Sequence, residues 1–308
     1  MPFRLKETDS RLFMALADCG VLTTTQITAL HFACKKVARR RLSQLAEAGL
    51  IAEQRRGLGR AQGQPEKIWS LGEAGFKWLR DQGKLPSGVS AEQVTGRSLH
   101  CLDHRILLNW FGIHLRQIGK VLPRLSTDFH ASESPFAPRS ESGASYLQIC
   151  VSPAGQEEKP TFPIPDAIFR IRDSEQGKSL LFFLEVDMGT ETLASPKRGA
   201  KDIRQKILNY QAIFRSGKYR ILDGLWAASF QGFRLLFLAN SPERMAFLCR
   251  LVQEMPPSDF IWVTDQERMF ARGLADAIWA RGGNTSKPTE SILSREMSRP
   301  SPVLPVAP

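Results

Sequence analysis

The chain has 308 residues, 42% hydrophobic and 24% charged, a composition typical of a folded globular protein that argues against a wholly disordered one. Its net charge of +11 favours a polyanionic partner, most commonly nucleic acid, although a merely basic enzyme is an alternative. No apolar run approaches the roughly 20 residues of a membrane span. Five cysteines stand singly without a Cys-x-x-Cys pair, as in a reducing cytosol. We therefore expect a cytoplasmic protein that does not interact with a membrane.

Residues 1–82 are predicted to form a domain of helices and short strands. Apolar residues at helical spacing, a threonine N-cap and closing glycines define the helices, and two short apolar runs flank a basic, glycine-rich tip. The predicted elements are helices over Ser10–Cys19, from Thr24 to about Phe32 and over Cys34–Ala48, strands over Leu50–Glu53 and Glu66–Leu71, and a helix over Glu73–Asp81. This order is typical of a winged helix-turn-helix domain.

The rest of the chain is predicted to contain a linker, a second domain and a tail. Residues 83–98 lack periodicity and are interpreted as the linker, residues 99–282 as the second domain, and the Ser/Pro-rich residues 283–308 as a disordered tail. The predicted elements of the second domain are a long helix over Leu99–Gly119, a short strand over Tyr146–Val151, an apolar strand that begins at Asp166, a strand over Ser179–Val186, a helix over Gly199–Ser216, a strand over Phe233–Leu238, a helix from Pro242 to Met255, a strand over Phe260–Thr264 and a helix over Gln266–Arg281.

Basic residues concentrate on the third predicted helix and on the tip between the two strands of the first domain. A helix with one apolar and one cationic face suits the DNA major groove, and the basic tip would contact phosphates or the minor groove. Val37 and Leu42 are assigned to the apolar face. Arg41 falls close to that face and is interpreted as a flanking residue or a phosphate contact rather than a residue that contacts bases. The alternative is an ordinary solvated charged face. The predicted DNA-binding residues are Lys35, Lys36, Arg39, Arg40, Ser43, Arg55, Arg56 and Arg60.

Three acidic residues interrupt the apolar strands of the second domain. Glu185 and Asp187 stand two apart on one predicted strand and therefore point to the same side, and Asp166 begins the neighbouring strand. Buried carboxylates need a cation or a firm partner. The sequence therefore predicts a metal site formed by Asp166, Glu185 and Asp187, suited to a hard ion such as Mg²⁺. The alternative is a structural role, with the acids paired to Arg170, Arg204 or Lys206.

The acids and the order of elements resemble the PD-(D/E)xK nuclease-like fold, which consists of a helix, three strands, a helix and another strand. Pro165-Asp166 resembles the first acid of its motif, and Glu185-Val186-Asp187 the second element. The resemblance implies Mg²⁺- or Mn²⁺-dependent phosphodiester cleavage, with Asp166, Glu185, Asp187 and Lys206 as catalytic residues. Asp187 stands where the motif normally has lysine. Lys206 would replace that lysine from the following helix, where Lys206-x-x-x-Tyr210 is similar to the Gln-x-x-x-Tyr of some members.

A further resemblance covers about residues 9–280. The segments Leu22–Ile27 and Arg41–Leu50, and the string Phe183–Glu191 followed by the helix with Lys206 and Tyr210, resemble the bacterial replication-relaxation family. The resemblance implies an α/β fold of the α+β kind, in which a winged helix-turn-helix precedes a nuclease-like domain. It assigns supporting roles to Thr190, Glu191 and Tyr210. It also implies double-stranded DNA of plasmids or other mobile elements as the ligand.

Two functional hypotheses follow from these features. In the first, the protein binds duplex DNA, associated with the nucleoid or a plasmid, and its second domain is a Mg²⁺- or Mn²⁺-dependent DNA endonuclease or nickase. In the second, it is a non-catalytic replication accessory factor or transcriptional regulator. Its second domain then mediates homodimerisation or binds replication or relaxase proteins.

Overall fold

The computed structural model describes residues 4–54, 66–95, 101–140, 143–152, 160–192, 202–293 and 297. The chain divides into two compact units, and the division falls within one helix, after Ile113. The first unit comprises the residues up to Ile113 together with Glu133–Ala137, and the second comprises the remainder. Both α-helices and β-sheets are present, so the predicted mixed α/β class is confirmed.

The first unit combines helices with a small antiparallel sheet in the order β1-β3-β2. Leucines on one side of α1 and α3 pack into its core because they recur at helical spacing, as Leu12, Leu16, Leu42 and Leu45 do. The 55–65 segment, which carries the predicted DNA-binding residues Arg55, Arg56 and Arg60, lies outside the described residues. The elements are α1 Glu7–Cys19, β1 Val21–Thr23, α2 Thr24–His31, α3 Lys35–Glu47, β2 Ile51–Gln54, β3 Ile68–Leu71, α4 Glu73–Asp81, α5 Ala91–Val94 and the first part of α6 Leu102–Val121.

The second unit is built on a six-stranded mixed sheet in sequential order from β4 to β9. Strands β4, β5 and β6 pair antiparallel, β7 and β8 continue parallel to β6, and β9 returns antiparallel. The elements after α6 are β4 Leu125–Ala131, β5 Ala167–Asp173, β6 Lys178–Asp187, α7 Ile203–Ser216, a 3₁₀ turn Lys218–Arg220, α8 Ile221–Trp226, β7 Arg234–Ala239, α9 Pro242–Gln253, β8 Ile261–Asp265, α10 Gln266–Arg272 and β9 Ala280–Arg281.

Part of the predicted linker is folded into the first unit. Ser90 and Gln93 form a reciprocal cap for α5, and Val94 is fully buried in the core of this unit. Leu85 and Val89 pack against the same core. The interpretation of residues 83–98 as a linker is therefore wrong for its described part, because irregularly spaced apolar residues can anchor a segment without periodicity.

Three predictions in the second unit also differ from the structure. The 146–151 segment, predicted as a strand, forms only an isolated bridge, between Val151 and Thr161. The sheet begins instead with β4, which was not predicted. The last helix ends at Arg272, because Gly273 follows at a positive φ of 85°. The predicted tail begins too early: Glu290 and Trp279 exchange backbone hydrogen bonds and Ile292 is fully buried. Within the described part of the chain, no helix is long and apolar enough to cross a membrane.

Candidate functional site

Two carboxylates face each other at one end of the β5–β6 pair. Ala167 pairs with Leu184, so the next residues outward, Asp166 and Glu185, stand opposite each other on the same face of the sheet. Asp166 Oδ2 accepts a hydrogen bond of 2.7 Å from the backbone nitrogen of Val186. Glu185 is only 3% exposed. A buried carboxylate at this position needs positive charge or hydrogen-bond donors close by.

Helix α7 supplies both partners of Glu185. Lys206 and Tyr210 are four residues apart and therefore share a face of the helix. Lys206 Nζ lies 3.1 Å from Glu185 Oε2, and the Tyr210 hydroxyl donates a 2.5 Å hydrogen bond to Glu185 Oε1. Tyr210 is fully buried. The i,i+4 spacing of α7 thus satisfies the two oxygens of the buried carboxylate separately.

Burial and the neighbouring charges change the pKa values of Glu185, Lys206 and Tyr210. Burial, together with the negative charge of Asp166, raises the pKa of Glu185 to about 7, against the opposing effects of Lys206 and Tyr210. Burial acts to lower the pKa of Lys206, but the charges of Glu185 and Glu191 outweigh it and raise that pKa. Burial and the neighbouring Glu185 raise the pKa of Tyr210 as well, so this phenol stays protonated. Lys206 therefore provides a permanent cation beside a carboxyl group that titrates near neutrality.

Asp187 belongs to a different set of contacts. Its Oδ2 lies 2.6 Å from Arg244 Nε and its Oδ1 lies 3.2 Å from the Arg244 terminal nitrogen Nη2, while the backbone nitrogen of Gly189 donates to Oδ1 at 2.8 Å. Arg244 lies in the first turn of α9, after the Ser241 cap. Sequence reasoning missed Arg244. The reason is topological, because α9 follows β7 and only the parallel pairing of β7 with β6 brings the start of α9 to the same edge of the sheet as Asp187.

The turn after β6 connects the two sets of contacts. Glu191 Oε1 lies 3.0 Å from Lys206 Nζ, and the Glu191 carbonyl oxygen accepts a 2.7 Å hydrogen bond from Arg244. The side chain of Asn240 donates to the Met188 carbonyl at 2.8 Å. Thr190 is exposed. Of the predicted supporting residues, Glu191 and Tyr210 therefore contact the acidic site directly.

The contacts of the carboxylates do not fit the three-acid metal site that the sequence predicts. Asp187 is held by Arg244, and the ammonium group of Lys206 stands against Glu185. No group of three or more His, Cys, Asp and Glu side chains within the described ranges has a geometry that could hold a metal ion. The described contacts instead match the alternative in which Lys206 pairs with an acid. The other two cations named for that role have different partners: Arg170 pairs with Asp128 and Arg204 with Glu254.

Helix α3 of the first unit presents exposed cationic residues on the side away from its buried leucines. Val37, predicted to be buried, is 44% exposed, whereas Ala38, Leu42 and Leu45 are fully buried. The name α3 cationic face is used below for the exposed residues Lys35, Lys36, Arg39, Arg40 and Ser43.

Arg41 is set apart from this face by its contacts. Its guanidinium group forms an ion pair with Asp9, which is 1% exposed, and also donates to the Arg4 carbonyl. The hydrogen bond to Asp9 raises the pKa of Arg41. Among the described residues, the four cations of the α3 cationic face form no comparable ion pair. Arg41 is thus held by contacts within the first unit, whereas the residues of the α3 cationic face are exposed.

Comparison with known proteins gives one family. The family model described as replication-relaxation matches residues 13–226, more than half of the chain. No curated protein and no solved structure gives a significant match. The match spans both α3 and the site around Glu185. The chain therefore belongs to the replication-relaxation family.

Proposed function

We propose that this protein binds duplex DNA through the α3 cationic face and acts in the replication or processing of plasmid or other mobile-element DNA. The observation that carries the proposal is the contrast within α3: four cations are exposed and form no ion pair with the described residues, while Arg41 is paired with Asp9. Exposed, uncompensated cations on one helix face provide a surface for phosphates and base edges.

The order of elements in the first unit supports the same proposal. Helix, short strand, two helices, two antiparallel strands and a further helix follow one another, as in winged helix-turn-helix domains. In such domains the helix corresponding to α3 lies in the major groove. The net charge of +11 adds a general attraction to DNA. Family membership associates the chain with DNA replication and processing.

The test is fluorescence anisotropy with a labelled duplex, comparing the wild type with the double variant Arg39→Ala plus Arg40→Ala. The matched control is Arg11→Ala plus Lys77→Ala, which removes the same charge from exposed positions on α1 and α4. We expect weaker binding of the first variant by at least tenfold, since each lost phosphate or base contact contributes about 1 kcal/mol or more. Equal losses in both variants would show that only net charge matters, and the proposal would fail.

A second candidate function is metal-dependent nicking of DNA. The observation that favours it is the grouping of Asp166, Glu185 and Lys206, which are two of the acids and the lysine that a nuclease-like domain would use. The pairing of Asp187 with Arg244 weakens it. Supercoiled plasmid incubated with Mg²⁺ or Mn²⁺ should be nicked by the wild type and left intact by Glu185→Ala. Unchanged plasmid with the wild type would favour the alternative, an accessory factor or regulator whose second unit binds a partner or a second copy.

A further inference from the structure

Val37 is an exposed apolar residue on a helix whose exposed side is otherwise polar. It is the third residue of α3 and is 44% exposed. At 100° per residue, Val37 lies on the same side as Arg40 and Gln44, three and seven positions further on. Both of these neighbours are exposed. The methyl groups of Val37 thus lie among groups able to hydrogen-bond with a ligand.

The fold of the first unit does not account for Val37. The core of this unit takes Ala38, Leu42 and Leu45 from α3, and Val37 is not among the residues that pack against it. A β-branched residue also lowers helix propensity slightly. A single exposed valine is unremarkable elsewhere on a protein surface. Here it stands in the first turn of the helix proposed to enter the major groove, where residues contact base edges.

The chemistry of the major groove offers one apolar group to such a side chain. Thymine carries a C5-methyl group there, and small apolar side chains recognise it by contact. Arginine, in turn, pairs with guanine through two hydrogen bonds. We infer that Val37 reads a thymine methyl group, next to a base pair contacted by Arg40. The inference rests on the proposed DNA binding and extends it, because it makes the protein a reader of sequence and not only of phosphate charge.

The experiment uses the full chain and a duplex that the protein itself selects from a random pool. Each thymine of the selected site is then replaced singly by deoxyuridine, which removes the methyl group alone. We expect one replacement to weaken wild-type binding about fourfold, the effect of losing one buried methyl contact. Val37→Ala should show less than half of this difference, because alanine lacks the two methyl groups with which valine reaches the base. Val121→Ala is the matched control, since Val121 is an exposed valine in α6 (76% exposed) and its loss should leave the uracil effect unchanged.

The outcomes separate this inference from the proposed function. Failure to bind any duplex at low salt would refute DNA binding itself. Wild-type binding that is indifferent to uracil at every position would overturn the role of Val37 and leave DNA binding intact. A uracil effect of undiminished size in Val37→Ala would overturn it equally. Val37→Ala should fold normally, because the side chain is exposed and alanine favours helix, which circular dichroism checks.

Discussion

Replacing Glu185 by glutamine should remove a specific pH dependence of stability. The pKa of Glu185 is raised by burial from 4.5 to about 7 in the folded protein. Between these two values the folded state binds more protons than the unfolded state, so this residue makes stability fall as pH rises. Its contribution is fully present below pH 4.5 and is lost above about pH 7. Glutamine cannot ionise, so the variant lacks this loss.

The size of the effect follows from the interval between the two pKa values. One pH unit corresponds to about 1.4 kcal/mol for a single proton, so roughly 2.5 units give about 3 kcal/mol. The difference in unfolding free energy between Glu185→Gln and the wild type should therefore move by about 3 kcal/mol in favour of the variant from pH 4.5 to pH 8. The raised pKa of Lys206 adds nothing within this window, because Lys206 stays protonated throughout it in both states.

Urea denaturation followed by tryptophan fluorescence, at half-unit steps from pH 4.5 to pH 8, measures this difference. Taking variant minus wild type at each pH cancels the other titrating groups. Glu267→Gln is the matched control, since it makes the same chemical change at an exposed position on α10. A flat difference for Glu185→Gln, or one that moves in favour of the wild type as pH rises, would refute the account of this site.

Two further predictions concern the arginine–carboxylate pairs of the two units. Arg41→Ala should lower the unfolding free energy by about 3 kcal/mol, because it leaves the buried Asp9 without its cation. Arg40→Ala should change the unfolding free energy by less than about 0.5 kcal/mol, because Arg40 is exposed. Urea denaturation of the two variants measures both values. The two variants should rank the other way in affinity for duplex DNA: at a temperature where both are folded, Arg40→Ala should bind more weakly than Arg41→Ala. Arg244→Met should likewise cost about 3 kcal/mol in thermal or urea unfolding, because Asp187 is buried and would lose its paired cation.

The sequence was most informative where local periodicity is strong. The continuous apolar run of β6 indicated that Glu185 lies in a buried strand, and the four-residue spacing of α7 indicated that Lys206 and Tyr210 share a face. Because β5 and β6 are consecutive antiparallel strands, their pairing places Asp166 opposite Glu185. These features depend on residues within about 45 positions of one another, which is why the grouping around Glu185 was foreseeable.

The parts that could not be predicted depend on distant or weakly patterned residues. Arg244 lies 57 positions after Asp187, and only the parallel pairing of β6 with β7 brings it to the same edge. Strand β4, at the end of the sheet, was missed because only three of its seven residues, Leu125, Phe129 and Ala131, are apolar, although their even spacing is that of a half-buried strand. The exposure of Val37 was likewise missed, because apolar character alone assigned it to the core.

The salt dependence of duplex binding tests the central claim most directly. The logarithm of the binding constant should fall linearly with the logarithm of salt concentration, with a slope of about −0.9 for each phosphate neutralised. If Arg39 and Arg40 both contact phosphates, Arg39→Ala plus Arg40→Ala should make this slope shallower by about 1.8, whereas Arg11→Ala plus Lys77→Ala should keep the wild-type slope. A wild-type slope near zero, or the same slope in all three proteins, would contradict DNA binding through the α3 cationic face.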